Sequence, residues 1–330
     1  MNGILLSIFG ATSQGLTWAI LALGVYITFR ILDIPDMSCE GSFALGGSVS
    51  AVLIVNFHWN SFITLLIATA AGMAAGLITG FLHTKLKIPA ILAGILTMVG
   101  LYSINLRIMG QANTALLGEN TIITIIQNLL PEAGTLGIQN SILQTSITIL
   151  VGLIFSGIVI LFLYWFFGTE IGCCVRATGN NDAMVRAQGV NTDKMKIFGL
   201  ILGNALVSLS GALVAQSQGY ADVGMGIGAI VIALASIVIG EVIFSKVKNF
   251  ARKLIAVVLG SIIYRVIIAL VLWMGLNAND MKLLTAFVVA LALSIPILKK
   301  TMPYIYITKQ LIKFVTLIKH IDPRVRKGRK

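Results

Sequence analysis

Few side chains in this chain could do covalent chemistry, and their spacing excludes most of it. His58, His83 and His320 lie far apart, and Cys39, Cys173 and Cys174 form one adjacent pair and an odd total. Metal sites need recurring short ligand spacings and disulfide frameworks an even count, so neither a metal nor a disulfide is expected. A phosphate-cradling loop needs Gly-x-x-x-x-Gly-Lys-Ser/Thr, because backbone amides and a lysine must surround the phosphates. The 33 glycines include no Gly-Lys pair, so the chain should not hydrolyse ATP and no cofactor is expected in it. No carboxylate pair or Ser/His pair is placed to face its partner across an element, so the chain is not read as an enzyme. What remains is Arg265 inside an apolar run, Asp36 and Glu40 before the glycines Gly46 and Gly47, Asp222 before another Gly-rich run, and a polar stretch at 168–191.

The elements that must position these residues are membrane spans. The sequence is 57% apolar and 11% charged over 330 residues, with a mean hydropathy of +0.96. Soluble domains carry about 25% charged residues, so a water-facing surface is excluded for most of this chain. A span needs about 20 mostly apolar residues. Runs at 11–30, 61–82, 90–109, 142–167, 197–218, 226–244 and 254–275 qualify or nearly so, and 41–56 and 283–298 are marginal. The prediction is an all-α integral membrane protein with about nine transmembrane or re-entrant helices.

The net charge of +12 comes with no interleaving of bases and aromatics of the kind that stacks nucleotides, so no nucleic-acid partner is expected. Instead the cations mark orientation. All of the 24 Lys and Arg except Arg107, Arg265 and Lys282 fall in one alternate set of loops and in the tail. Cytoplasmic loops collect such residues, so the N-terminus is predicted outside and the C-terminus inside. Residues 1–29 carry no charge. A secretory signal would open with a basic region, so this stretch is read as the first span.

We divide the chain into a transmembrane region, 1–298, and a basic amphipathic cytoplasmic tail, 299–330, apolar on one face and basic on the other, which should lie on the inner leaflet held by anionic lipid. An external loop covers 110–141. In the segment 168–196, Asn181 and its neighbours offer an N-cap, Gly189 a stop, and Asn191 a cap for the next span, so a short helix of about two turns is predicted. A shift of 186 residues lays 11–30 on 197–216 and 41–56 on 227–242, and Asp36 on Asp222. Two inverted four-helix units, typical of transporters, would produce this. So would glycines that merely permit close helix packing.

Residues 168–191 read Gly-Thr-Glu-Ile-Gly-Cys-Cys-Val-Arg-Ala-Thr-Gly-Asn-Asn-Asp-Ala-Met-Val-Arg-Ala-Gln-Gly-Val-Asn. This stretch resembles the coupling segment of permease subunits of ATP-binding-cassette importers, in the branch serving branched-chain amino acids and ribose. The pattern falls on Gly172, Arg176, Ala177, Gly179, Asn181, Gly189 and Asn191. Met184 stands in its last alanine place with Ala183 beside it, and Glu170 precedes it. Residues 15–50 look like the opening of these permeases, and 260–265 and 279–285 resemble a sub-branch for tryptophan and tyrosine uptake. The resemblance implies a bacterial inner-membrane protein, a partner ATPase that binds ATP and Mg, a second permease copy (a homodimer), and an external substrate-binding lipoprotein. Contact with that ATPase is the alternative to lipid for the tail 299–330. The substrate implied is a small polar solute, most readily an amino acid, with a sugar or nucleoside as the alternative. An ion-coupled secondary transporter is the rival, though it would carry more ionisable residues within its spans.

Arg265 is the sharpest single position. A cation at mid-membrane must face protein or water. It could attract an anionic or zwitterionic substrate in a pathway that also includes Asp36, Glu40, Gly46, Gly47 and Asp222. It could equally make an ion pair or hold helix carbonyls, and the residues alone favour that structural role.

Overall fold

The computed structural model describes residues 3–129, 140–244, 249–274, 283, 285–290 and 294. The chain divides into two units, Met1–Val289 and Ala290–Lys330, and the fold below is that of the first. The tail 299–330 lies outside the described residues, as do most of the marginal run 283–298 and part of the loop 110–141.

The unit is built of helices, because a backbone in hydrocarbon must satisfy its own polar groups. In order they are α1 (Gly3–Tyr26), α2 (Ser38–Val55), α3 (Ser61–Thr84), α4 (Ala90–Met109), α5 (Ile122–Leu129), α6 (Asn140–Phe166), α7 (Glu170–Asn180), α8 (Asp182–Ala187), α9 (Thr192–Gln218), α10 (Ala229–Ile243) and α11 (Phe250–Trp273). Two short strands, β1 (Asn113–Ala115) and β2 (Tyr220–Asp222), pair antiparallel with Thr114 opposite Ala221. Among the described residues, seven helices are long and apolar enough to cross a membrane.

The marginal run 41–56 is a complete helix, α2, and is among these seven. The run 226–244 is shorter than its hydropathy suggests. Gly228 sits at φ +85°, and α10 begins only at Ala229. That left-handed conformation, which glycine adopts without penalty, ends the turn and starts the helix.

α1 packs against α9 and α11, α9 against α2 and α3, and α10 against α11. α2 and α9 are the most enclosed spans, each 72% buried, against 28% for α4, so the former make the middle of the unit. The outer helices turn large apolar side chains outward, such as Leu66 and Leu161. Exposed apolar surface of this extent is a lipid-facing wall.

Close approach depends on small residues. A Cβ on Gly15 would lie 2.7 Å from Ile262 Cα, and one on Gly76 would lie 2.8 Å from Ile201 Cα. Packing of this kind, without large side chains between backbones, is what drives helices together in lipid.

The connections gather at two ends. At one, Ile122 N donates to Gln216 Oε1 at 3.1 Å and Val223 N to Ala112 O at 3.0 Å, beside the β1–β2 pair. At the other, Lys87 pairs with Asp193 at 3.7 Å, and Arg176 lies 5.0 Å over the Phe250 ring.

Candidate functional site

The segment after α6 folds into two short helices rather than one, each with its own cap. Thr169 Oγ1 accepts from Gly172 N at 3.3 Å at the start of α7. Asn181 Oδ1 accepts from Met184 N at 3.0 Å at the start of α8, and Asn191 Oδ1 from Lys194 N at 3.1 Å at the start of α9. Gly189 sits at φ +86° between them. The caps at Asn181 and Asn191 and the stop at Gly189 are those expected from the sequence. The separate helix α7 was not, because its residues carry the Gly and Cys of a loop-like stretch.

This pair of helices has an inner and an outer face. On the inner face, Gly172 rests on the carbonyl of Phe166 and Gly179 on the carbonyl of Ile31. Val175 and Thr178 are buried beside them, and Ala177 is half-buried. On the outer face, Glu170, Asn181, Ala183, Met184, Arg186, Gly189 and Asn191 are exposed. Lys196 Nζ donates to Asp182 Oδ2 at 2.7 Å, and this bond chiefly holds the Asp182 carboxyl below the usual carboxylate range. Arg176 borders a cleft of about 370 Å³ walled by Tyr164, Trp165, Phe167 and Phe250.

Gly179 also connects this face to the interior. It abuts the point where α1 ends in a π-helical turn, Ile27–Ile31. Such turns are rare and recur at functional sites. Arg30 on the turn is paired with Glu241 of α10. Beyond the turn the chain leads to Asp36, which is fully buried. Asp36 Oδ1 accepts from Ser38 N at 2.9 Å and Ser38 Oγ at 2.5 Å, and Asp36 Oδ2 accepts from Asn204 Nδ2 at 2.7 Å. Ser42 Oγ donates to Asn204 Oδ1 at 2.6 Å. Burial pushes the Asp36 carboxyl upward against the pull of its donors.

The other expected pathway residues stand elsewhere. Glu40 Oε1 accepts from Gly228 N at 3.0 Å, and Asp222 Oδ1 accepts from Gly224 N at 2.7 Å, so the two carboxylates flank the turn before α10. Gly46 lies on the carbonyl of Ser208, and a Cβ on Gly47 would lie 2.6 Å from Met225 Sδ. Arg265 is apart from all of these, 4.1 Å over the ring of Trp18. Among the described residues no ion pair to it is present, and Gln14 Oε1 lies 3.4 Å from its Nη1.

Asn204, Gln216 and Trp18 were missed in the sequence. Asn204 could have been found, because a lone amide in the middle of an apolar run needs a buried partner.

Among the described residues, no group of His, Cys, Asp or Glu could hold a metal ion. A family described as the permease component of a branched-chain amino acid transport system matches residues 7–318. The chain is 38% identical to a tyrosine transport system permease protein of Clostridioides difficile (strain R20291), over 88% of this chain and 90% of that one. It is 26% identical to the ribose import permease protein of Escherichia coli (strain K12), over 78% and 75%. It is 24% identical to a probable branched-chain amino acid transport permease protein of Methanocaldococcus jannaschii, over 60% and 62%. No solved structure matches the chain. With seven span-length helices and permease relatives across most of its length, this is a multi-pass bacterial inner-membrane protein, and it belongs to the family of branched-chain amino acid transport system permease components.

Proposed function

We propose that the chain is the membrane-embedded subunit of an ATP-binding-cassette importer that moves an amino acid by alternating access. The observation that carries this reading is the capped pair α7–α8, whose outer face is free and whose inner face rests through Gly179 on the π-helical end of α1. A cytoplasmic ATPase, holding the ATP and Mg, docks on that outer face. Its closure moves α7, and the Ile31–Asp36 connection carries the displacement to α2 and Asn204. A second copy completes the pathway, and an external binding lipoprotein delivers the solute. The N-terminus faces outward, and the 168–191 segment faces the cytoplasm.

The substrate class follows the tyrosine permease relative. The ribose permease relative supports a sugar as the second reading. The buried Asp36 supports the rival of ion coupling, since buried carboxylates serve as proton relays in transporters.

The inverted repeat also belongs to this reading, with nine spans in all. A shift of 186 residues turns Gly15 into Ile201 and Gly76 into Ile262, and the observed contacts are Gly15 with Ile262 and Gly76 with Ile201. It likewise exchanges the Gly24–Gly203 approach for the Ser210–Thr17 bond. Asp36 and Asp222, equivalent under the shift, each accept from the amide two residues on. Contacts that exchange in this way support a two-fold relation over simple close packing.

The test is cross-linking. Cysteine placed at the exposed Met184, in a chain with its native cysteines replaced, should cross-link to the ATPase in inside-out vesicles. A residue 184 reached only by reagents outside the cell would refute the reading.

A further inference from the structure

Between α1 and α11 lie buried N–H donors with no acceptor among the described residues. Arg265 Nε and Nη2 and Trp18 Nε1 are shielded from solvent and have no hydrogen-bond partner among the described residues. Arg265 Nη1 reaches Gln14 Oε1 only at 3.4 Å, the long limit of a hydrogen bond. The guanidinium stacks on Trp18, whose other neighbour is Phe43 at 5.0 Å between ring centroids.

Leaving a buried donor unpaired costs more than the mean value of the bond it could make, and charged donors cost most. A site with three such donors and no acceptor for them among the described residues is suited to an acceptor that a ligand brings. A guanidinium offers a planar fork that matches a carboxylate in two parallel bonds. A single cation without a neighbouring lysine balances one negative charge, as on a carboxylate, and falls short of a phosphate dianion. A sugar hydroxyl would leave the charge uncompensated. Gln14 is exposed and Arg265 half-buried, so the open side of this group is the Gln14 side.

We propose that Arg265, with Trp18 and Gln14, forms a binding station for the carboxylate of the transported amino acid. This deepens the importer reading and rests on it. The carboxylate takes the place of the missing acceptor, Gln14 releases Nη1 to it, and the Trp18 ring holds the guanidinium plane. Specificity for the side chain then belongs to other parts of the pathway and to the external binding protein.

The test uses the complete permease–ATPase complex in nanodiscs without the external binding protein, and radiolabelled L-tyrosine as probe. Competitors are 3-(4-hydroxyphenyl)propionate, which keeps the carboxylate, tyramine, which lacks it, and D-ribose. In the wild type the propionate should compete at least tenfold better than tyramine, and ribose should not compete. In Arg265→Gln that preference should collapse to within about twofold, and Arg265→Lys should retain part of it. A selectivity ratio that collapses is not the outcome of a general loss of fold. Equal competition by tyramine and the propionate in the wild type overturns the proposal, as does a ratio unchanged in Arg265→Gln. Binding of ribose but neither carboxylate overturns it too. So does a wild type that binds no carboxylate while Arg265→Gln separates the dimer, since the arginine then serves the second copy. ATP-driven uptake by the full system in proteoliposomes is measured alongside. If uptake persists, only the carboxylate station falls, and if no solute is taken up with ATP, the importer reading falls.

Discussion

Substituting Gly179 by alanine probes the contact that joins the outer helices to the membrane region. The added Cβ would point at the carbonyl oxygen of Ile31 and lie 2.7 Å from Leu32 Cα and 2.8 Å from Ile31 C. Carbon atoms are in favourable contact at about 3.5–4.0 Å, so α7 and the π-helical turn must part by roughly 1 Å. Overpacking of this kind costs about 1–3 kcal/mol. If the contact transmits ATPase closure, the cost appears as lost coupling, which is about 5- to 150-fold over that range. The assay is the amount of solute taken up per ATP hydrolysed in proteoliposomes that contain the permease, ATPase and binding protein. Gly157→Ala on α6 is the control, because nothing lies within 4 Å of its added Cβ. The expected result is a ratio at least fivefold lower in Gly179→Ala and unchanged in Gly157→Ala. A Gly179→Ala protein that melts and couples like the wild type would refute the relay through Ile31.

Three further outcomes follow from the same geometry. Asp36→Asn leaves the donors of Ser38 and Asn204 facing an amide. It should destabilise the complex by about 1–3 kcal/mol, seen as a lower melting temperature that the Asp36→Asn, Asn204→Asp double variant partly restores. Asn181→Ala removes the bond that caps α8. It should cost about 0.5–2 kcal/mol of local stability and speed amide exchange over residues 182–187. Asp182 has its carboxyl held low by Lys196, so its stabilising effect is complete above the unfolded value of about 3.9 and fades as pH falls through the lower folded value. Amide protection factors over 182–187 should therefore hold steady from pH 7 to about 4, and Lys196→Met should lower them across that range.

Helices and caps were legible in the sequence because their causes are local. Apolar runs of span length, the Asn181 and Asn191 caps and the Gly189 stop each depend on a few adjacent residues. α2 was undervalued because its Gly and Ser residues lower its hydropathy. They are buried against α9 and α3, where small size matters more than apolarity. α10 was overextended because its hydropathy continues into glycines that the backbone uses for a turn. The Asp36–Asn204 bond joins residues 168 apart in sequence, and no local pattern announces such a partner. Arg265 drew attention as a cation in a span, but only the fold shows that it meets an aromatic face. The π-helical turn at Ile27–Ile31 has no composition of its own, and α7 and α9 pack around it.

The most direct measurement is uptake of L-tyrosine into proteoliposomes that hold the purified chain alone, or the chain with its ATPase and binding protein. Without the companions, imposed sodium and proton gradients should drive no accumulation. With them, uptake should require ATP and binding protein and be indifferent to ionophores. Gradient-driven accumulation by the chain alone would contradict the claim that its power is borrowed through α7 and α8.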